Sequence, residues 1–154
     1  MHFFPWAASD KDGYLTFYTL DPRDTDPSHL SIDGGAGFFP RKDRKQIPYE
    51  VKAVQLSTFL ANVLLYPGSK INIPLMKIDI EGAEYQVLPD MLKWGLLCNN
   101  KITKIYTEFH TKFQYLLKPA FSTYLQLVEA IENQTTCTPT KIRFLNDEDY
   151  CEDV

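Results

Sequence analysis

Apolar positions along the chain fall into short runs separated by turn residues. His2 to Ala8 is aromatic and apolar, Ser9-Asp10-Lys11-Asp12-Gly13 is turn-rich, and Tyr14 to Thr19 has strong strand propensity. Two consecutive strands joined by a tight turn are predicted, with Trp6 and Phe17 in the core. From Leu20 to Pro48 prolines and Gly34-Gly35-Ala36-Gly37 predict a long loop. Tyr49 to Leu56 alternates as a strand does, Ser57 is placed to cap a helix, and Thr58 to Tyr66 supplies that helix before Pro67-Gly68.

Ile71 to Ile80 is a nearly continuous apolar run, the pattern of a strand buried on both faces of a parallel sheet. Ala83 to Gly95 predicts helix, with Pro89 either kinking it or opening a second one. Val87, Leu88, Met91, Leu92 and Trp94 make its apolar face. Lys101 to His110 predicts a strand, Pro119 to Asn133 an amphipathic helix, and Lys141 to Leu145 a last strand.

From Val51 onward strands alternate with helices, the grammar of an α/β fold with a parallel sheet. Strands joined by one helix usually lie side by side, so those ending near Glu81 and His110 become neighbours roughly 5 Å apart. Residues i and i+2 of a strand project to one side. Asp79, Glu81, Glu108 and His110 are therefore expected together at the carboxyl rim, where open α/β sheets bind ligands. An unperturbed histidine has its pKa near neutrality, so His110 suits a general base, with Glu108 orienting it. The plainer readings are that Glu81 and Glu84 favour the first turn of the next helix, and that His110 caps a helix or loop.

Composition narrows this picture. The 154 residues suffice for one domain with a genuine core, and 44% hydrophobic residues is a globular value. A net charge of -4, from 20 acidic and 16 basic residues, argues against nucleic acid as partner. The basic cluster Arg41-Lys42-Asp43-Arg44-Lys45 reads as a solvated loop. Asp33-Gly34-Gly35-Ala36-Gly37 lacks the strand before it and the helix after it that a phosphate cradle requires. No apolar run reaches membrane-spanning length. Cys98, Cys137 and Cys151 are too few for a disulfide framework, although Cys137 and Cys151 could pair, and Asn133-Gln134-Thr135 is a formal glycosylation sequon.

The string Lys77-Ile78-Asp79-Ile80-Glu81-Gly82-Ala83-Glu84, continuing through Tyr85-Gln86-Val87-Leu88, resembles the signature ending the fourth strand in the FkbM family of methyltransferases. Thr107-Glu108-Phe109-His110 is similar to the Glu-x-His after its fifth strand. Ala7-Ala8-Ser9-Asp10 with Gly13 resembles the stretch after its third, and Asn146-Asp147-Glu148-Asp149-Tyr150 an acidic tail of animal members. Val54-Gln55-Leu56 is similar to a Val-x-Leu-Asp segment, with Ser57 standing in place of the Asp.

This resemblance implies a Rossmann-like class I methyltransferase fold, a three-layer sandwich, in a single partial domain over 1–154. It implies S-adenosylmethionine as donor and a small-molecule or glycan hydroxyl as acceptor; a divalent metal is not expected. Asp79 matches the acidic residue beside the donor's methyl, and Ala7 and Ala8 the region near its adenine. The family's Gly-rich first turn and the acid ending its second strand lie upstream of Phe3-Phe4-Pro5-Trp6 in the family's order. The fold is accordingly expected to be incomplete at its N-terminus, and the chain to be active only when the complete domain is present.

Two other functions compete. One is a non-catalytic module that keeps the sheet and binds a ligand or partner. The other is a metal-dependent sugar transferase using Asp79-x-Glu81 or Asp147-x-Asp149 as its metal motif, which manganese and a nucleotide sugar would reveal.

Overall fold

The computed structural model describes residues 4–21, 23, 45–80, 82–110 and 123–145. Readings made on Glu81, the Gly-rich and basic stretches, the start of the 119–133 segment, the 146–150 tail and Cys151 lie outside these residues. The fold is mixed α/β. Its elements run β1 (Ala7–Ser9), β2 (Gly13–Leu20), β3 (Gln46–Gln55), α1 (Leu56–Leu64), β4 (Met76–Ile78), α2 (Glu84–Lys93), β5 (Lys104–Thr107), α3 (Tyr124–Glu132) and β6 (Lys141–Phe144). They form two compact units, with boundaries between Ala7 and Ala8, between Asp10 and Lys11, and between Val54 and Gln55.

The first sheet has the order β1-β3-β2, so the two strands expected in succession each pair with β3 and not with each other. The antiparallel β2–β3 ladder runs from Gly13↔Ala53 to Leu20↔Gln46, well into the stretch expected to be loop. Pro48 tolerates this placement. The Asp21 N–H donates to the Lys45 carbonyl at 3.0 Å, marking 21↔45 as a hydrogen-bonded pair. Alternate pairs then leave Pro48, opposite Tyr18, at a position where β2 asks no N–H of it. Trp6 is 41% exposed, a correction to its expected core role. Its ring lies under the Lys52 ammonium, 5.4 Å from the centroid, while Phe17 meets Tyr49 at 6.1 Å.

The second sheet is parallel, in the order β4-β5-β6, as the βα alternation predicts. β3 does not belong to it. Only Met76–Ile78 of the expected 71–80 strand forms a ladder, with one isolated parallel bridge at Ile73↔Ile102. The strand is not buried on both faces: Ile78 is buried, whereas Ile71 and Leu75 are exposed.

Helices close the core of this unit. Leu60 and Leu64 of α1, Val87, Leu88 and Met91 of α2, and Leu127 and Ile131 of α3 cluster with Ile78, Ile102 and Ile105. Each such side chain contributes about 1.5–3 kcal/mol on burial. Ser57 is not the cap of α1; Gln55 occupies that position, and the buried Ser57 Oγ has no partner among the described residues. The Lys101 ammonium donates to the Leu64 carbonyl at 2.9 Å, a cation at the negative end of α1.

Pro89 lies inside a single α2 helix. The helix ends where Gly95 takes φ +65° and the Leu96 N–H returns to the Met91 carbonyl, a Schellman motif. Trp94, expected on its apolar face, is largely exposed. Thr123 caps α3 by accepting from the Gln126 N–H.

Cys98 and Cys137 form a disulfide. This corrects the considered pairing of Cys137 with Cys151. Cys98 and Pro139 bridge as strand neighbours, and the Thr140 N–H donates to the Leu97 carbonyl, which brings the two cysteine-bearing segments together.

Candidate functional site

Parallel pairing of β4 with β5 places Ile78 beside Thr107, and the Glu108 N–H continues the ladder to the Ile78 carbonyl at 3.3 Å. Asp79 and Glu108 are thereby the first residues past two adjacent strand ends. Asp79, Glu108 and His110 each direct a ligating atom into one cluster, all within 4.8 Å of one another. Three of the four residues expected at the rim meet there. Glu81 lies outside the described residues, and because β4 ends at Ile78, strand alternation does not carry through to Asp79 and Ile80.

Between Glu108 and His110, Phe109 packs with Tyr85 edge-on at 5.2 Å, Phe144 at 5.3 Å and Tyr124 at 5.8 Å. Anchoring Phe109 in this aromatic cluster fixes the segment that carries Glu108 and His110. Burial, then the neighbouring Glu84 charge and Tyr124, push the Tyr85 phenol above its ordinary range.

Glu84 is the functional residue that sequence reasoning missed. It is fully buried in the first turn of α2. Oε1 accepts from the Ile80 N–H and Oε2 from the Gly82 N–H, both at 2.9 Å. Oε1 also lies 3.2 Å from His110 Nδ1. Glu84 is the first residue of α2, and its carboxylate reaches back past the N-cap Ala83 to N–H groups of the turn before the helix. Gly82 makes the reach possible with φ +105°, a conformation that L side chains rarely adopt.

His110 is thus held between two carboxylates, its other ring nitrogen Nε2 lying 3.6 Å from Glu108 Oε1. Its side chain is 9% exposed and that of Asp79 35%. Asp79 pairs with Lys77 at 3.1 Å. A pair this exposed contributes at most about 1 kcal/mol, so a ligand can displace it.

Beside Asp79 opens a cavity of about 430 Å³ lined by Ala8, Leu56, Met76, Lys77, Ile78, Asp79 and Ile80. That volume is within the ordinary range for small-ligand sites. Ala8 lines it; Ala7, which precedes Ala8 in β1, is half-buried and is not among the lining residues. No helix among the described residues is long and apolar enough to cross a membrane.

In this mixed α/β fold the carboxyl ends of two adjacent parallel strands bring two carboxylates and an imidazole together, and one of those carboxylates, Asp79, also lines an apolar cavity. The methyltransferase FkbM domain model matches residues 2–134, and the chain belongs to the FkbM methyltransferase family. No curated protein and no solved structure matches the chain.

Proposed function

We propose that this chain contributes a Rossmann-like site for S-adenosylmethionine-dependent O-methylation of a hydroxyl on a small molecule or glycan. The observation that carries this reading is the convergence of Asp79, which lines the cavity, with Glu108 and His110, in a member of a methyltransferase family. The cavity suits the donor: its walls are mostly apolar, and a carboxylate stands among them to face a sulfonium cation. Asp79 and Ala8 are the residues of this chain that would hold it.

When bound, S-adenosylmethionine supplies an electrophilic methyl group. The acceptor hydroxyl must shed its proton as its oxygen is methylated. With its Nδ1–H donated to Glu84, His110 carries at Nε2 the lone pair that takes this proton. Glu108 steadies the imidazolium that results and can also accept a hydrogen bond from the acceptor. The buried Glu84 positions the ring without touching the acceptor. Such proton removal is worth about 10²–10⁴ in rate.

Calorimetric titration with S-adenosylhomocysteine tests the donor half of the proposal. Saturable binding that weakens in Asp79→Asn is expected. A stably folded protein that binds no donor product would favour the non-catalytic module instead.

A further inference from the structure

We infer that Asn133 is a site of N-linked glycosylation, so that the chain carries a glycan at the end of the parallel sheet opposite the candidate site. Two independent observations meet here. The first is Asn133-Gln134-Thr135, with no proline at Gln134 or Thr136. Asn133 is the exposed C-cap of α3, and Thr135 is exposed beside it. Acceptor amide and sequon hydroxyl therefore both lie at the surface, where a bulky saccharide costs no packing.

The second observation is the Cys98–Cys137 disulfide, whose Cys137 lies four residues beyond the sequon asparagine. Disulfides persist in oxidising compartments and are rare where thiols are kept reduced. The secretory compartments in which disulfides form are those in which sequons are glycosylated. Sequon and cross-link point to one environment, although neither requires the other chemically.

The topology says where the glycan would stand. β5 and β6 are parallel, so α3 returns the chain from the carboxyl end of β5 to the amino end of β6. Its C-cap thus lies toward the amino ends of the strands, on the side of the Cys98–Cys137 staple. Asp79, Glu108 and His110 occupy the carboxyl ends. A saccharide on Asn133 leaves the cavity beside Asp79 open.

The Gln134 amide donates to the Leu97 carbonyl at 2.6 Å, which together with the disulfide pins the segment, so transfer precedes folding. In that step the Asn133 amide nitrogen forms a bond to the anomeric carbon of a lipid-pyrophosphate-linked oligosaccharide. The carbon–oxygen bond to the pyrophosphate breaks, and the lipid pyrophosphate leaves with the amide proton.

The test uses the protein isolated from its own cells. Peptide-N-glycosidase should increase its gel mobility, and digestion in ¹⁸O-water should convert Asn133 to labelled aspartate in the mass spectrum. Thr135→Ala should lose both signals and Thr135→Ser should keep them, which separates loss of the sequon from loss of the fold. Unmodified Asn133 overturns the inference, whether Cys98 and Cys137 are found linked or as thiols.

Discussion

Glu84 Oε1 lies 3.2 Å from His110 Nδ1, joining the first turn of α2 to the segment after β5 across 26 residues of sequence. This contact ties the strand-end residues together, because with Nδ1 toward Glu84 it is Nε2 of His110 that faces Glu108. The same glutamate satisfies the Ile80 and Gly82 N–H groups, so orientation of His110 and the start of α2 depend on one buried side chain.

Removing that side chain orphans buried donors. Glu84→Ala should cost about 2–5 kcal/mol, a fall in melting temperature of roughly 5–15 °C. Glu84→Gln should cost less, since its amide oxygen can still accept one of the N–H groups. Thermal unfolding followed by circular dichroism checks both, and two unchanged melting temperatures would refute the role given to Glu84.

Gly82 is constrained by its backbone. At φ +105°, Gly82→Ala should lose about 1–3 kcal/mol, read as a lower urea midpoint with an unchanged slope. An unaltered midpoint would mean that the turn before α2 relaxes without penalty.

The Cys98–Cys137 cross-link closes a loop between residues 39 apart. In the chain-entropy model a loop of this length is worth about 4 kcal/mol. Cys98→Ser/Cys137→Ser should unfold at correspondingly lower denaturant while keeping the Glu84–His110 contact, since the staple lies at the other end of the sheet. Denaturation with and without reductant measures the effect, which should be absent in the double variant.

Acid should act on the β2–β3 hairpin through Asp21. Hydrogen bonds from the Arg23 side chain and backbone hold its carboxyl down from 3.8 to about 2. A carboxylate with a lowered folded pKa stabilises fully above its unfolded value and loses that contribution as pH falls through the folded one. The difference in stability between the protein and Asp21→Asn should therefore be constant near neutrality and vanish between about pH 4 and 2. A difference that persists below that window would contradict the pairing.

Adjacency of Asp79 and Glu108 was legible in the sequence because a strand-helix-strand unit constrains its two strands to be parallel neighbours. Glu84 was not. An acid in a first helical turn is already accounted for by the helix dipole, and nothing local reveals that a histidine will arrive from the next strand. The start of β3 was hidden by Pro48, because a proline forbids a strand only where its N–H is required, and the register sets that. Trp6 looked like core, but its surface partner Lys52 is set by tertiary placement. Cys137 paired with Cys98 because the Leu97–Thr140 hydrogen bond and the Cys98–Pro139 bridge bring those segments together, which spacing along the chain does not encode.

Transfer of a labelled methyl group from S-adenosylmethionine to a panel of hydroxylated small molecules and glycans tests the central claim most directly, comparing the protein with His110→Asn. Label should appear on an acceptor oxygen, and the variant should lose about 10²–10⁴ of the rate while binding S-adenosylhomocysteine as before. Equal transfer by the variant, or no transfer to any hydroxyl by the unaltered protein, would contradict it.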